Sequence, residues 1–234
     1  VRRLVMCGMY VDLQDLRFDP MSKPKVVIID YGVGNLLSVQ RAVEECGAEA
    51  ITSSEPDVIA QADRVILPGV GAFANGMQAL ESLGLIELIK AIAADGIPLL
   101  GICLGMQLLL DESEEHGMTK GLGIIPGRVV PVPNVSSDGV PLKIPHIGWN
   151  SLVLAEGAAW DGTILQNSIP GDAVYFVHSF MAAPENSSMR IADCSYGGNR
   201  ISAVIGHRNV FGCQFHPEKS GGAGLRIFEK ILYS

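Results

Sequence analysis

No apolar run in this chain approaches the ~20 consecutive residues that a membrane-spanning helix requires. Positive charge is also scarce: 17 Lys and Arg stand against 25 Asp and Glu, for a net charge of −8 and a pI near 5.1. That balance argues against a nucleic-acid surface. The five cysteines (Cys7, Cys46, Cys103, Cys194, Cys213) are scattered and odd in number, so no disulfide framework is implied and a reducing cytoplasm is the expected setting. Cys213 and His216 are spaced like metal ligands, but no second Cys/His cluster completes a site, and neither a metal nor a cofactor is expected. Repeats, linkers and low-complexity stretches are missing as well.

What is present suits one domain. The chain has 234 residues, 48% of them hydrophobic, and a chain of this size buries roughly 70–75% of its unfolded surface. Residues 1–24 stand apart as an N-terminal extension, and residues 25–234 form the expected domain. Leu4–Val11 follows two arginines, yet its apolar stretch is short, no small-residue cleavage site follows, and Asp12, Asp15 and Asp19 come next, so it does not read as a signal peptide. Met21 reads as the functional start.

The most informative segment is Gly101-Ile102-Cys103-Leu104-Gly105. It sits where an apolar strand turns into a helix, the pattern of a nucleophile elbow with cysteine in place of serine. Glycines on both sides let strand and helix approach closely, and they allow a strained backbone that raises the cysteine side chain toward solvent. The N–H groups of Leu104 and Gly105, at the helix N-terminus, are expected to point at the sulfur and favour a thiolate. A buried structural cysteine is the commoner fate of a free thiol, and the two glycines weigh against it.

A base for that thiol is available near the C-terminus. Val210–Phe215 reads as a strand running into His216-Pro217-Glu218. In extended backbone, residues two apart project to one side, so His216 can face the cysteine while Glu218 fixes its tautomer. The order Cys103, His216, Glu218 disfavours an α/β-hydrolase, whose acid precedes its histidine. A papain-like protease is disfavoured too, since its cysteine lies near the mature N-terminus.

Gly101–Gln107 together with Gln214-Phe215-His216-Pro217-Glu218-Lys219-Ser220 resembles the class I, triad-type glutamine amidotransferases. Four further segments (Ile29–Asn35, Leu67–Phe73, Pro145–Asn150 and Tyr175–Phe180) are similar to the glutaminase subunits of imidazole glycerol phosphate synthases, in collinear order from about Lys25 onward. The resemblance implies hydrolysis of glutamine through a Cys103 thioester, with ammonia passed to a cyclase subunit folded as a (β/α)₈ barrel, in a heterodimer serving histidine biosynthesis. It implies an oxyanion hole from the backbone of Leu104 and of Val70 or Gly71. It implies substrate contacts from Gln107 and from the backbone of Ser179 and Phe180, and a partner interface including Asn35, Trp149 and Lys219. Glycines on both sides of Val70 let the Gly69–Val70 peptide rotate at low cost, so that donor can be absent until something turns it inward. Two alternatives stand beside this reading. One is a glutaminase serving pyridoxal phosphate or anthranilate synthesis; the other is a non-catalytic regulatory relative.

Strand and helix alternate through the first half: strands at Lys25–Asp30, Arg64–Leu67 and Leu99–Cys103, helices at Asn35–Cys46 and across Asn75–Ala94 with a break near Gly84. Later, short β-type runs separated by glycine and proline lead to a closing helix over about Gly222–Tyr233. The expected fold is α/β: a flavodoxin-like parallel central sheet flanked by helices, with added antiparallel strands.

Overall fold

The structure, a computed structural model, describes residues 3–6, 9–12 and 23–233. Its centre is an eight-stranded mixed sheet in the order Val153–Leu154, Arg190–Tyr196, Asn199–His207, Val210–Cys213, Leu99–Ile102, Arg64–Leu67, Lys25–Ile29, Glu49–Ser53. The last five of these pair parallel and the first four pair antiparallel, with Val210–Cys213 shared between the two halves. The expected α/β architecture with a parallel centre is what is found. The inner parallel strands carry apolar runs, as strands covered on both faces do: Val26–Ile29, Val65–Leu67 and Leu99–Ile102 are fully buried, while the edge strand Glu49–Ser53 is not.

The boundaries follow local chemistry. The helix after the first parallel strand spans Leu36–Glu45, and Gly47, at φ +87, carries the chain out of it. The segment Asn75–Ala94 resolves into two helices, Phe73–Ser82 and Ile86–Ala94, separated at Gly84 with φ +66. The closing helix is Gly221–Leu232. A four-stranded sheet (Phe180–Pro184, Ile125–Pro131, Leu110–Ser113, Thr119–Lys120) and a two-stranded one (His146–Ser151 with Ala173–His178) flank the main sheet. Much of the N-terminal extension lies outside the described residues; Arg3–Met6 and Met9–Asp12 form an antiparallel pair of their own.

Function is positioned by strand order. The strands ending at Ile29, Leu67, Ile102 and Cys213 are consecutive parallel neighbours, with Ile102 opposite Cys213 and Leu67 opposite Gly101. Residues that follow them therefore gather at one carboxyl edge, where open α/β sheets build their sites.

Candidate active site

Cys103 has φ +53 and ψ −106, a region that non-glycine residues enter only under strain. The turn is held by its N–H, which donates to the Cys213 carbonyl at 2.7 Å. Both elbow glycines are required sterically. A Cβ on Gly101 would lie 2.7 Å from the Gly105 carbonyl, and one on Gly105 would drive into the Leu67 carbonyl. The sulfur is not raised into bulk solvent as expected: Cys103 is only 7% exposed, enclosed by the pocket around it. Its Sγ lies 3.9 Å from the Val177 carbonyl and 3.8 Å from the Gln214 amide nitrogen.

His216 leaves the strand beside the elbow. Its N–H donates to the Tyr175 carbonyl at 2.9 Å, and its own carbonyl accepts from the Ser220 hydroxyl at 2.7 Å, which pins the backbone on both sides. Nδ1 is 2.8 Å from the Glu218 carboxylate, with both side chains almost wholly buried. That partner directs Nε2 to the thiol. Nε2 is buried without a closed hydrogen bond. Burial works against a charged ring, but the Cys103 sulfur and then the Glu218 carboxylate outweigh it and raise the imidazole to about 9. The three residues thus form a thiol–imidazole–carboxylate line in the order nucleophilic catalysis uses.

Leu104 corrects an expectation. Its N–H does not point freely at the sulfur but donates to the Gly69 carbonyl at 3.3 Å. The Gly69–Val70 peptide therefore presents its oxygen to the start of the elbow helix, and the trans peptide turns the Val70 N–H the other way. Gly71, at φ +106 with nothing near its Cβ position, and the exposed Val70 leave the loop room to turn.

A cavity of about 320 Å³ opens over the elbow. Except for Glu218, which stands behind His216, the nine residues expected to catalyse, to hold an oxyanion or to bind substrate all line it. Gln107 is more constrained than its sequence position suggests. Its amide NH₂ donates to the Phe180 carbonyl at 2.9 Å and to Gln214 Oε1 at 3.2 Å. With both N–H groups engaged, the side chain offers its oxygen, which suits an ammonium group and not a carboxylate.

Two residues that sequence reasoning missed join the site. Glu115 lines the cavity, and its Oε2 accepts from the Phe73 N–H at 2.6 Å, anchoring it at the start of a helix that lacks a side-chain cap. No motif or period announces it. Gln214 bridges Gln107 and Cys103; its place directly before Phe215-His216 was the available signal.

His178, beside the cavity, is buried. Its Nδ1 lies 2.9 Å from the Phe180 carbonyl and its Nε2 2.9 Å from His146 Nδ1. Burial lowers its pKa to about 4, so it stays neutral at ordinary pH. His146 is its buried partner, stacked against Phe176 and Tyr196. Of the expected interface residues, Trp149 is 60% exposed beside the exposed Ile147 on one strand, Lys219 is exposed and Asn35 half-buried. Among the described residues, no group of three or more His, Cys, Asp or Glu could hold a metal, and no helix is long and apolar enough to cross a membrane.

The family described as "Glutamine amidotransferase class-I" matches residues 27–233. Imidazole glycerol phosphate synthase subunit HisH 1 of Legionella pneumophila (strain Lens) is 55% identical over 208 residues, spanning 88% of this chain and 98% of that protein. The HisH subunit of Geobacillus thermodenitrificans (strain NG80-2) is 46% identical over 205 residues, 88% of this chain and 93% of its own. Among solved structures, a glutamine amidotransferase superposes with a TM-score of 0.67 at 16% identity, over 89% of this chain and 99% of that one. PurLQS from Thermotoga maritima gives 0.63 at 21% identity, over 90% and 98%. At such identities the two structures speak to the fold alone.

Proposed function

This chain belongs to the class I glutamine amidotransferases, an enzyme family, and from that premise we propose that it is the glutaminase subunit of an imidazole glycerol phosphate synthase. The observation that carries the proposal is the buried Cys103, His216 and Glu218 line opening into a cavity of about 320 Å³. The relatives at 46–55% identity across nearly their whole length support the choice of synthase.

In the proposed mechanism, His216 holds the thiol proton and Cys103 attacks the side-chain amide carbon of glutamine. A sulfur–carbon bond forms and the amide oxygen becomes an oxyanion. His216 passes its proton to the departing nitrogen, ammonia leaves, and a thioester remains. Water, deprotonated by His216, attacks that thioester; the carbon–sulfur bond breaks and glutamate is released. Glu218 keeps the ring oriented and stabilises its charged form. The Gln107 oxygen and the Glu115 carboxylate recognise the α-ammonium of the substrate, and the backbone of Ser179 and Phe180 faces its carboxylate.

The oxyanion needs two N–H donors, and the Gly69 carbonyl occupies the Leu104 donor while Val70 faces away. Rotation of the Gly69–Val70 peptide supplies both at once. Losing one such donor costs about 10²–10³ in rate, so the free chain is a poor glutaminase and a partner that turns the peptide activates it. Ammonia freed into neutral water would be protonated and lost as a nucleophile, which favours transfer to a bound cyclase barrel. The exposed Ile147 and Trp149, with Asn35 and Lys219, form the proposed docking face in a heterodimer. A cytoplasmic setting fits the four free cysteines among the described residues.

The test uses the complex with the cyclase of the same organism. Cys103→Ala is expected to abolish glutamine-dependent synthesis and to leave synthesis from added ammonium salts intact. Loss of both would show that the chain does more than supply ammonia.

A further inference from the structure

The Gly69–Val70 peptide is held differently on its two sides. Beyond it lies the open Gly71. Before it lies Pro68, whose ring fixes φ and whose carbonyl accepts a 2.6 Å hydrogen bond from the Tyr31 hydroxyl. Tyr31 is 3% exposed and comes from the neighbouring parallel strand, two residues past its end. The same hydroxyl lies directly over Gly69, where any Cβ would collide with it and meet Leu104 Cβ at 2.9 Å. Pro68 and Gly69 are buried and Val70 is exposed, so the boundary between fixed and movable backbone falls on one peptide. Burial keeps the phenol protonated, and a neighbouring Cys103 thiolate adds to that, so the bond to Pro68 persists through the chemical cycle.

We infer that Tyr31 is a positioning residue for the glutaminase reaction: its hydroxyl anchors the Pro68 carbonyl, confining the rotation that completes the oxyanion hole to the Gly69–Val70 peptide. The inference rests on the glutaminase reading above. A donor contributes only if it comes within about 2.7–3.1 Å of the oxyanion. A peptide turning about a fixed abutment arrives at one place; a peptide turning on a loose one arrives at many. The resting state lacks the Val70 donor already and has less to lose from a loose anchor than the activated state has.

The experiment compares wild type, Tyr31→Phe and Tyr31→Leu, each as the free chain and in the cyclase complex. Glutamate release and ammonium-dependent synthesis are both measured. In both variants the ratio of complex-activated to free-chain turnover is expected to fall at least tenfold, through kcat, with KM for glutamine within twofold of wild type. Ammonium-dependent synthesis should persist, showing an assembled complex. An unchanged ratio, whether both rates drop together or neither does, overturns the inference, and so does a loss in the Leu variant that the Phe variant escapes. A wild-type complex that releases no glutamate would overturn the glutaminase reading itself, a result distinct from the other two.

Discussion

Two glycine-flanked segments face each other across the same pocket, and they are built in opposite ways. At the elbow, Gly101 and Gly105 are glycines because backbone fills the space a Cβ would take. Cys103 is locked by a 2.7 Å bond to the next strand, and His216 is tied at both its N–H and its carbonyl. In the facing loop, Gly69 is packed much as the elbow glycines are, but Gly71 is a glycine because of its φ of +106, with nothing near its Cβ position; Val70 is 43% exposed, and the backbone bond from Leu104 to Gly69 is a long 3.3 Å. The nucleophile half of the site is tied down on both sides, and the facing loop beyond Gly69 is not. Such a division puts control on the half that can move without disturbing the thiol and its base.

The sharpest way to break this comparison is to place the same methyl group on each side. Gly105→Ala forces the elbow helix away from Leu67 and is expected to cost about 4 kcal/mol, seen as scant soluble protein or a Tm lower by roughly 8–16 °C. Gly71→Ala meets no neighbour, and its cost of about 1 kcal/mol comes from the positive φ alone, a shift of roughly 2–4 °C. Similar Tm losses would show that the loop is packed as tightly as the elbow.

A smaller effect tests the charge within the rigid half. His216 is raised from its ordinary value to about 9 by Cys103 and Glu218 against the pull of burial. Its contribution to stability is full below an unfolded pKa of about 6.5 and is lost as pH rises through the folded value. Wild type should therefore lose a few degrees of Tm between about pH 7 and about pH 9.5, and Glu218→Gln should flatten that slope. His178 works in the opposite window. Its folded pKa is lowered to about 4, so its neutral burial costs stability as pH falls from about 6.5 toward that value. A wild-type profile flat above neutrality would place the His216 charge elsewhere.

The smallest effect concerns the N-terminal segment. Among the described residues, Arg3–Met6 and Met9–Asp12 pair only with each other. Removing residues 1–20 is expected to shift Tm by less than about 2 °C, a change below 1 kcal/mol, and to leave glutamate release unaltered. A larger drop would mean that this segment docks on the domain and steadies one of its halves.

Elements were legible in the sequence where apolar runs end at glycine. Arg64–Leu67 and the elbow strand stand out because a parallel strand buried on both faces has no polar alternation to obscure it. Glu49–Ser53 and His146–Ser151 were not legible: one is a half-buried edge strand and the other alternates around exposed residues, so neither carries an apolar run. Leu110–Ser113 is hidden for a related reason, being three-quarters polar and following closely on a helix of five residues. Within the site, the residues expected from spacing alone were those on one stretch of backbone, such as His216 and Glu218. Glu115 and Tyr31 reach the site from other elements, so no local pattern could mark them.

The sequence by itself determined the alternation of strands and helices, the glycines that make a cysteine elbow possible, and the pairing of histidine with glutamate two residues on. Each is a short-range matter of propensity, periodicity or a missing Cβ. Only the tertiary structure decided that Val210–Cys213 lies beside Leu99–Ile102 and so brings His216 to Cys103 from more than a hundred residues away. It alone decided that the Gln107 donors are engaged and that the Gly69 carbonyl faces Leu104. A glycine states that a peptide can turn; which way it has turned depends on the groups that surround it in space.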